Sequence, residues 1–398
     1  MLASRLVYDG LQLLALPLSL PLLAAHPRLR GGLAERLGAA PRCDDAPIWL
    51  HGSSAGDVAA LLPLARRLHG SKVLSSFTRA GEQLARQRLA HGWDQPPRLF
   101  RLPIDWSPLC RRAIRRVAPR ALILECLELW PALVGAAQRR DVPVVIVNGR
   151  LSERSLARYA RLPSLFRPRF AALAQVNAID GQHAERFARA GVPAERVAVV
   201  GSSKHGDMPS GGSFVSSRAR VVFGSVHAEE LSVLDALPGL FARWPALEVE
   251  VAPRYARDVA AARRRIDKLP LDAAQRQRVV LRDQMGGLAQ AYGGAALAFV
   301  GGSIAPRGGH NVVEPASRGA HVVVGPHTEA CANEVAALCR AGVLSRISDA
   351  SELVAVADRV LATPAPARAE SAVAAARALA GEADRLALRL GSVLEGRA

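Results

Sequence analysis

Residues 49–68 read WLHGSSAGDVAALLPLARRL, an apolar segment that runs through small and hydroxyl residues into a helical pattern. The opening "IWLH" (48–51) has the length and composition of a buried strand, and Gly52-Ser53-Ser54 interrupts it. Apolar residues at helical spacing then run to Arg66 and Arg67, which close the segment. Strand, tight turn and helix together make one repeat of a parallel sheet covered on its faces. A single acid, Asp57, stands where the turn becomes helix.

The same alternation continues on either side. "KVLSSF" (72–77), "LFRLPI" (99–104), "ALILEC" (121–126) and "VPVVIVN" (142–148) read as further strands, with helical patterns such as "AGEQLARQRLA" and "WPALVGAAQRR" between them. The series reaches "RVAVVGSSK" near Lys204 and breaks at the Gly/Ser/Pro-rich "GDMPSGGSFVSS" (206–217), which reads as a linker. Beyond it the pattern restarts with "ARVVFGS", "LEVEVAP", "RVVLRD", "ALAFVGG" and "HVVVGP", and Ala-rich helices close the chain from about Ser351. The expected architecture is α/β, two doubly wound parallel-sheet domains of Rossmann-like type facing a cleft. Its parts are an apolar segment at 1–30, an N-terminal domain at 31–206, a linker at 207–217 and a C-terminal domain at 218–398. A length of 398 residues fits two cores better than one. In such sheets ligands bind beyond the carboxyl ends of the strands.

The formal charge is +17, carried almost entirely by arginine, with Lys72, Lys204 and Lys268 the only lysines. That balance suits an anionic partner or surface, or simply a diffusely basic exterior. The clusters "RRAIRR" (111–116) and "ARRRIDK" (262–268) lack the interleaved aromatics of a single-strand groove, so no nucleic-acid partner is expected. Five cysteines, odd in number and without a CxxC pair, exclude a disulfide framework and a cysteine zinc site. Between Asp9 and His26 lies the uncharged "GLQLLALPLSLPLLAA", short for a span and broken by Pro17 and Pro21, with basic residues after it. It reads as an in-plane or re-entrant membrane anchor with its positive flank on the cytoplasmic side, or as a buried first helix.

"FVGGSIAPRGGHNVVEPASRG" (299–319) is the segment richest in chemistry. A strand ends in Gly301-Gly302-Ser303, Arg307-Gly308-Gly309 form a loop, and His310-Asn311 open a helix with Glu314 in its first turn. Glycines let a backbone approach a ligand, free N–H groups at a helix start suit phosphate, and an acid one turn in can hold ribose hydroxyls. The competing reading is a βα turn in which Glu314 merely offsets the helix dipole.

"GGS…GGHNVVEPA" closely resembles the C-terminal motif of the bacterial 3-deoxy-D-manno-octulosonic acid (Kdo) transferases, glycosyltransferases of the two-domain GT-B type. The resemblance extends through "RLG", "HGSSAGDV", "LELWP" (127–131), "VNGRLSERS" (147–155), "GSSKHGD" (201–207), "FGSVHAEE", "APRY" and "LRDQMGGL", all in family order. It implies transfer of Kdo from CMP-Kdo to a lipid A precursor, with inversion, at the cytoplasmic face of the inner membrane. The acceptor, the anionic membrane surface and the donor are the implied partners. Neither metal nor cofactor is implied.

Asp57 matches the family's general base, with Ser54 and Gly56 in the same turn as acceptor- or sugar-binding positions, although an acid there also serves the helix dipole. Lys204 matches a lysine that steadies the transition state, and Glu128 a second acid, with Trp130 packed beneath it. Pro253, Arg254, Met285, Gly286, Gly287, Asn311 and Glu314 match donor-binding positions. Ser225 and His227 stand at the first turn of the second domain as further donors, or His227 serves equally as a local cap. Arg150 and Ser152 lie where the family's Arg-Leu-Ser stretch contacts acceptor or sugar, or Ser152 simply caps a helix. Three departures stand out: aspartate replaces glutamate at 57, Cys126 replaces the first acid of the pair that ends in Glu128, and Gly287 replaces an acid after Met285-Gly286. A one-residue shift along a strand reverses a side chain, so adjacent Glu125 is no automatic substitute. The departures leave open a relative that uses another activated sugar, or one that binds lipid A without turnover.

Overall fold

A computed structural model describes Tyr8, Gly10, Pro21, Ala25 and residues 31–208, 219–283 and 287–395. The apolar run at 1–30 and the linker at 207–217 therefore fall almost wholly outside the described residues, as do Met285 and Gly286. Among the described residues no helix is long and apolar enough to cross a membrane.

The chain divides into two compact units, Met1–Asp207 with Ala380–Ala398, and Met208–Leu379. The first holds β1 (Ile48–His51), β2 (Lys72–Ser76), β3 (Arg98–Arg101), β4 (Ala121–Glu125), β5 (Val144–Gly149), β6 (Gln175–Ala178) and β7 (Val197–Val199). These pair in the order β3-β2-β1-β4-β5-β6-β7, parallel at every junction. Successive residues of a strand face opposite sides. Accordingly Trp49, Leu122 and Leu124 join one buried cluster, while Ile48, Leu50 and Ile123 join another beneath the helix Ala55–Arg67. Burial on both faces is why the strands read as continuous apolar runs.

The second unit holds β8 (Arg220–Val226), β9 (Glu248–Pro253), β10 (Val279–Leu281), β11 (Leu297–Val300), β12 (His321–Val324) and β13 (Leu344–Arg346), ordered β10-β9-β8-β11-β12-β13 and again all parallel. Each sheet reverses its winding once, between β1 and β4 in the first unit and between β8 and β11 in the second. Loops leaving the two strands at such a point part to opposite faces and open a crevice at the strand ends.

One boundary differs from the sequence expectation of a domain at 218–398. Residues Ala380–Ala398 belong to the first unit. Leu386 and Leu390 of the helix Glu382–Glu395 are buried with Leu61 and Leu64. Arg67 Nε donates to Asp384 Oδ1 at 2.6 Å, and Glu382 Oε2 accepts from the Ser202 backbone N–H at 2.6 Å. An amphipathic helix carries no record in its own sequence of which sheet it covers.

Candidate active site

In the first unit the crevice is built from the ends of β1 and β4. Ser54 caps the helix Ala55–Arg67: its Oγ accepts from the Asp57 N–H at 3.3 Å, and Asp57 Oδ2 accepts from the Ser54 N–H at 2.7 Å. This reciprocal capping box fixes the half-buried Asp57 side chain at the turn. Asp57 Oδ1 takes no hydrogen bond from the described residues. Gly56 is exposed beside it.

His51, the last residue of β1, is fully buried. Its Nδ1 lies 3.1 Å from the Ser75 carbonyl, which can only accept, so Nδ1 carries the proton and Nε2 presents a lone pair. Ser53 Oγ sits 3.3 Å from that Nε2. Burial holds the imidazole down to about 3, so it is a neutral post rather than a cation. Next to it Glu128 accepts from Trp130 Nε1 at 2.7 Å, which places Trp130 beside the acid as its position in "LELWP" suggests. Burial raises the Glu128 carboxyl, a bond from Ser53 opposes this, and the Asp57 charge raises it further.

Glu125 ends β4 and is 4% exposed. Its Oε2 accepts from Asn148 Nδ2 at 2.8 Å, and Asn148 Oδ1 accepts from the Ser203 N–H at 2.8 Å. Burial pushes Glu125 well above the usual carboxylate range; Asn148 opposes this, Asp57 adds to it and Arg150 opposes it. Glu125 is thus an interior group. Cys126 adopts φ 57° and Asn148 φ 52°, left-handed conformations at adjacent strand ends where non-glycine residues are uncommon. Burial takes the Cys126 thiol up to about 12, which leaves it an inert neutral group.

The structure therefore brings Asp57, Glu128 and Arg150 into one electrostatic neighbourhood around Glu125. Lys204 is exposed on the short turn Ser203–His205, whose Ser203 anchors it to Asn148. Ser152 caps the helix Glu153–Ala160, its Oγ accepting from the Ser155 N–H at 3.1 Å. Sequence reasoning missed His51, Ser53, Asn148 and Ser203, whose value lies in partners up to 55 positions away.

In the second unit the crevice lies between the ends of β8 and β11. Pro253 ends β9, and Arg254 follows it exposed, its N–H donating to the Val226 carbonyl at 2.8 Å. His227 Nε2 and His310 Nε2 are 2.8 Å apart, so one donates and the other accepts. The rings stack at 20° with centroids 5.1 Å apart, and Tyr255 meets His227 edge-on at 5.6 Å. Burial, then the Arg254 and His227 charges, bring His310 down to about 4.

The backbone donors of the glycine-rich turn are taken from within the unit. Glu230, fully buried, fills that turn. Its Oε2 accepts from Gly302 N–H at 2.6 Å and His227 N–H at 3.2 Å. Its Oε1 accepts from Ser303, Ile304 and Ala305 at 2.8, 2.7 and 3.1 Å. The glycines serve close packing as well: a Cβ on Gly301 would lie 2.3 Å from the Ser225 carbonyl oxygen. Asn311 likewise spends its side chain on the helix start, its Oδ1 accepting from Val313 at 3.1 Å and Glu314 at 3.4 Å. Glu314 is half-buried, and burial raises its carboxyl. Gly287 adopts φ 74° before the short helix Leu288–Ala291. The side chains grouped at this strand end are the His227–His310 pair and Arg254, whose charge acts on His310.

A family model described as 3-deoxy-D-manno-octulosonic-acid transferase (kdotransferase) matches residues 31–206. The 3-deoxy-D-manno-octulosonic acid transferase of Haemophilus influenzae is 30% identical over 360 residues, covering 81% of this chain and 82% of that protein. The chain belongs to the 3-deoxy-D-manno-octulosonic acid transferase family. The Bordetella pertussis transferase is also 30% identical, over 86% of each chain. The chain is thus a glycosyltransferase, with the paired parallel sheets of the GT-B class. The crystal structure of UDP-GlcNAc 2-epimerase from Neisseria meningitidis has the same fold, with a TM-score of 0.58 at 12% identity, covering 86% of this chain and 99% of that one.

Proposed function

We propose that this family member transfers Kdo from CMP-Kdo to a lipid A precursor in lipopolysaccharide biosynthesis, with inversion and with Asp57 as the general base. The observation that carries the assignment is the state of the Asp57 carboxylate: Oδ2 is held by the Ser54 N–H at 2.7 Å, while Oδ1 is uncommitted at the switch point of the first sheet. A base held by one oxygen and open at the other is positioned without being spent.

In this mechanism Asp57 Oδ1 takes the proton of the acceptor hydroxyl as its oxygen bonds to the ketosidic carbon of Kdo. The bond from that carbon to the CMP phosphate oxygen breaks on the opposite side, and its electron pair leaves with CMP. Glu128 and Arg150 border the acceptor side, and Lys204 supplies a compact positive charge. Arg254 and the His227–His310 pair receive the departing phosphate, and Asn311 and Glu314 hold the nucleoside. The first unit takes the acceptor and the second the donor. The formal charge of +17 suits work at the anionic cytoplasmic face of the inner membrane.

A second reading, binding without turnover, draws on Gly287 and Cys126 at positions where the family carries acids. Purified protein with freshly generated CMP-Kdo and tetra-acylated lipid A precursor, followed by lipid mass, separates the two. Sugar addition is the expected result, and its absence with both substrates bound would establish the second reading. Asp57→Asn keeps the capping oxygen and should lower turnover by about 100-fold or more while leaving CMP affinity intact. Undiminished turnover in that variant would remove Asp57 from the base role.

A further inference from the structure

A cavity of about 360 Å³ opens at the opposite end of the second sheet from the glycine-rich turn. His321, the first residue of β12, and Ser345 of β13 form its floor. Arg359, Thr363, Arg368 and Ser371 complete its polar lining, and no lining residue is acidic. His321 pairs with Leu297 at the start of β11, so the cavity is separated from the Gly301–Ala305 turn by the length of that strand.

Its charge is unbalanced. Arg368 is half-buried, and its Nη1 donates to the Val360 and Thr363 carbonyls at 3.0 and 3.1 Å. Its Nε is buried without a partner among the described residues. Burial lowers the guanidinium, and no neighbouring carboxylate opposes that effect. His321 binds Ser345 Oγ through Nε2 at 2.9 Å, and burial together with Arg359 and Arg368 brings it down to about 4. Two guanidinium groups, a neutral imidazole and three hydroxyls thus face one cavity without an internal counter-charge. Half-burying a cation is costly unless an anion answers it.

We infer that this cavity is a binding site for a phosphate-type oxyanion, held by Arg359 and Arg368 with Ser345, Thr363 and Ser371 as hydroxyl partners. Planar guanidinium groups match tetrahedral oxyanions through paired N–H donors, and the volume lies within the roughly 300–1,000 Å³ of ordinary ligand sites. The site is separate from the proposed donor site and does not depend on it.

Calorimetric titration of the full chain tests this with inorganic phosphate, against chloride at equal ionic strength, and in parallel with phosphatidylglycerol vesicles. Saturable phosphate binding that weakens at least about tenfold in Arg359→Gln and in Arg368→Met, but not in the control Arg263→Gln at an exposed arginine outside the cavity, supports a soluble ligand. Vesicle binding alone with the same variant pattern supports a lipid headgroup. Arg368 also caps a helix end, so the exposed Arg359→Gln variant carries the decision if Arg368→Met unfolds. Binding of neither probe, or affinity unchanged in Arg359→Gln, overturns the inference.

Discussion

Replacing Glu230 should damage the second unit more than any other single change at its strand ends. The carboxylate accepts five backbone N–H bonds, four of them from consecutive residues of the turn after β11. A hydrogen bond to a charged group contributes about 1.5–3 kcal/mol. Five that converge on one group do not add, and removing one partner of a buried charged network costs about 3–5 kcal/mol in practice. Glu230→Ala should therefore lose about 4 kcal/mol, which lowers the unfolding midpoint of a domain this size by about 8–16 °C. Glu230→Gln keeps one accepting oxygen but turns an NH₂ group toward N–H donors, so it should fall between the two. Scanning calorimetry reads the midpoint, and hydrogen exchange at Gly302, Ser303, Ile304 and Ala305 reads the turn itself. A Glu230→Ala midpoint within about 1 kcal/mol of the parent, with unchanged protection at those amides, would refute the reasoning.

Glu125 and His51 give pH predictions of opposite sign. The Glu125 carboxyl is raised in the folded state, so its contribution is fully present below the unfolded value near 4.5 and is lost as pH rises through the folded value. Glu125→Gln keeps an oxygen for Asn148 Nδ2 and should gain stability over the parent as pH rises; urea unfolding at about pH 5 and about pH 8 checks it, and a variant weaker at the higher pH contradicts it. His51 falls from 6.5 to about 3, so the unfolded chain binds the extra proton between those values and stability drops as pH falls through them. The ceiling on that loss is about 5 kcal/mol at ~1.36 kcal/mol per unit. His51→Asn should flatten this acid limb in denaturant titrations, and an unchanged slope would acquit His51.

The sheets were legible because strands buried on both faces must be apolar throughout. β6 was not, since Gln175 and Asn177 break its hydropathy. Both are buried: Asn177 Nδ2 donates to the Ile146 carbonyl at 3.2 Å, and Arg389 Nε donates to Asn177 Oδ1 at 3.1 Å. A polar strand whose partner is 212 positions away leaves no local periodicity to read. The candidate acids at 57 and 128 were legible from motif order; the capping of the helix by Ser54 was not read from the sequence and emerges from its reciprocal bonds with Asp57. The state of the glycine-rich turn was not, because an empty cradle and one filled by a carboxylate from the turn after β8 require the same glycines.

The two switch points use one device with different reach. After β1, Asp57 stands three residues beyond Ser54 and accepts its N–H; after β8, Glu230 stands three residues beyond His227 and accepts its N–H. From that common anchor Glu230, longer by one methylene, also spans to the turn after β11 and collects four more donors. The carboxylate is saturated and becomes part of the scaffold. Asp57, about 1.5 Å shorter, is confined to its own turn, and Oδ1 takes no hydrogen bond from the described residues. The neighbouring strand end offers no nest either: Cys126 turns left-handed at φ 57°, and its N–H is committed to the Val147 carbonyl at 2.9 Å. A base needs a lone pair that the fold has not already claimed. By that criterion Asp57 keeps an open oxygen, as the proposed base role requires, whereas Glu230 has both of its oxygens taken by backbone donors.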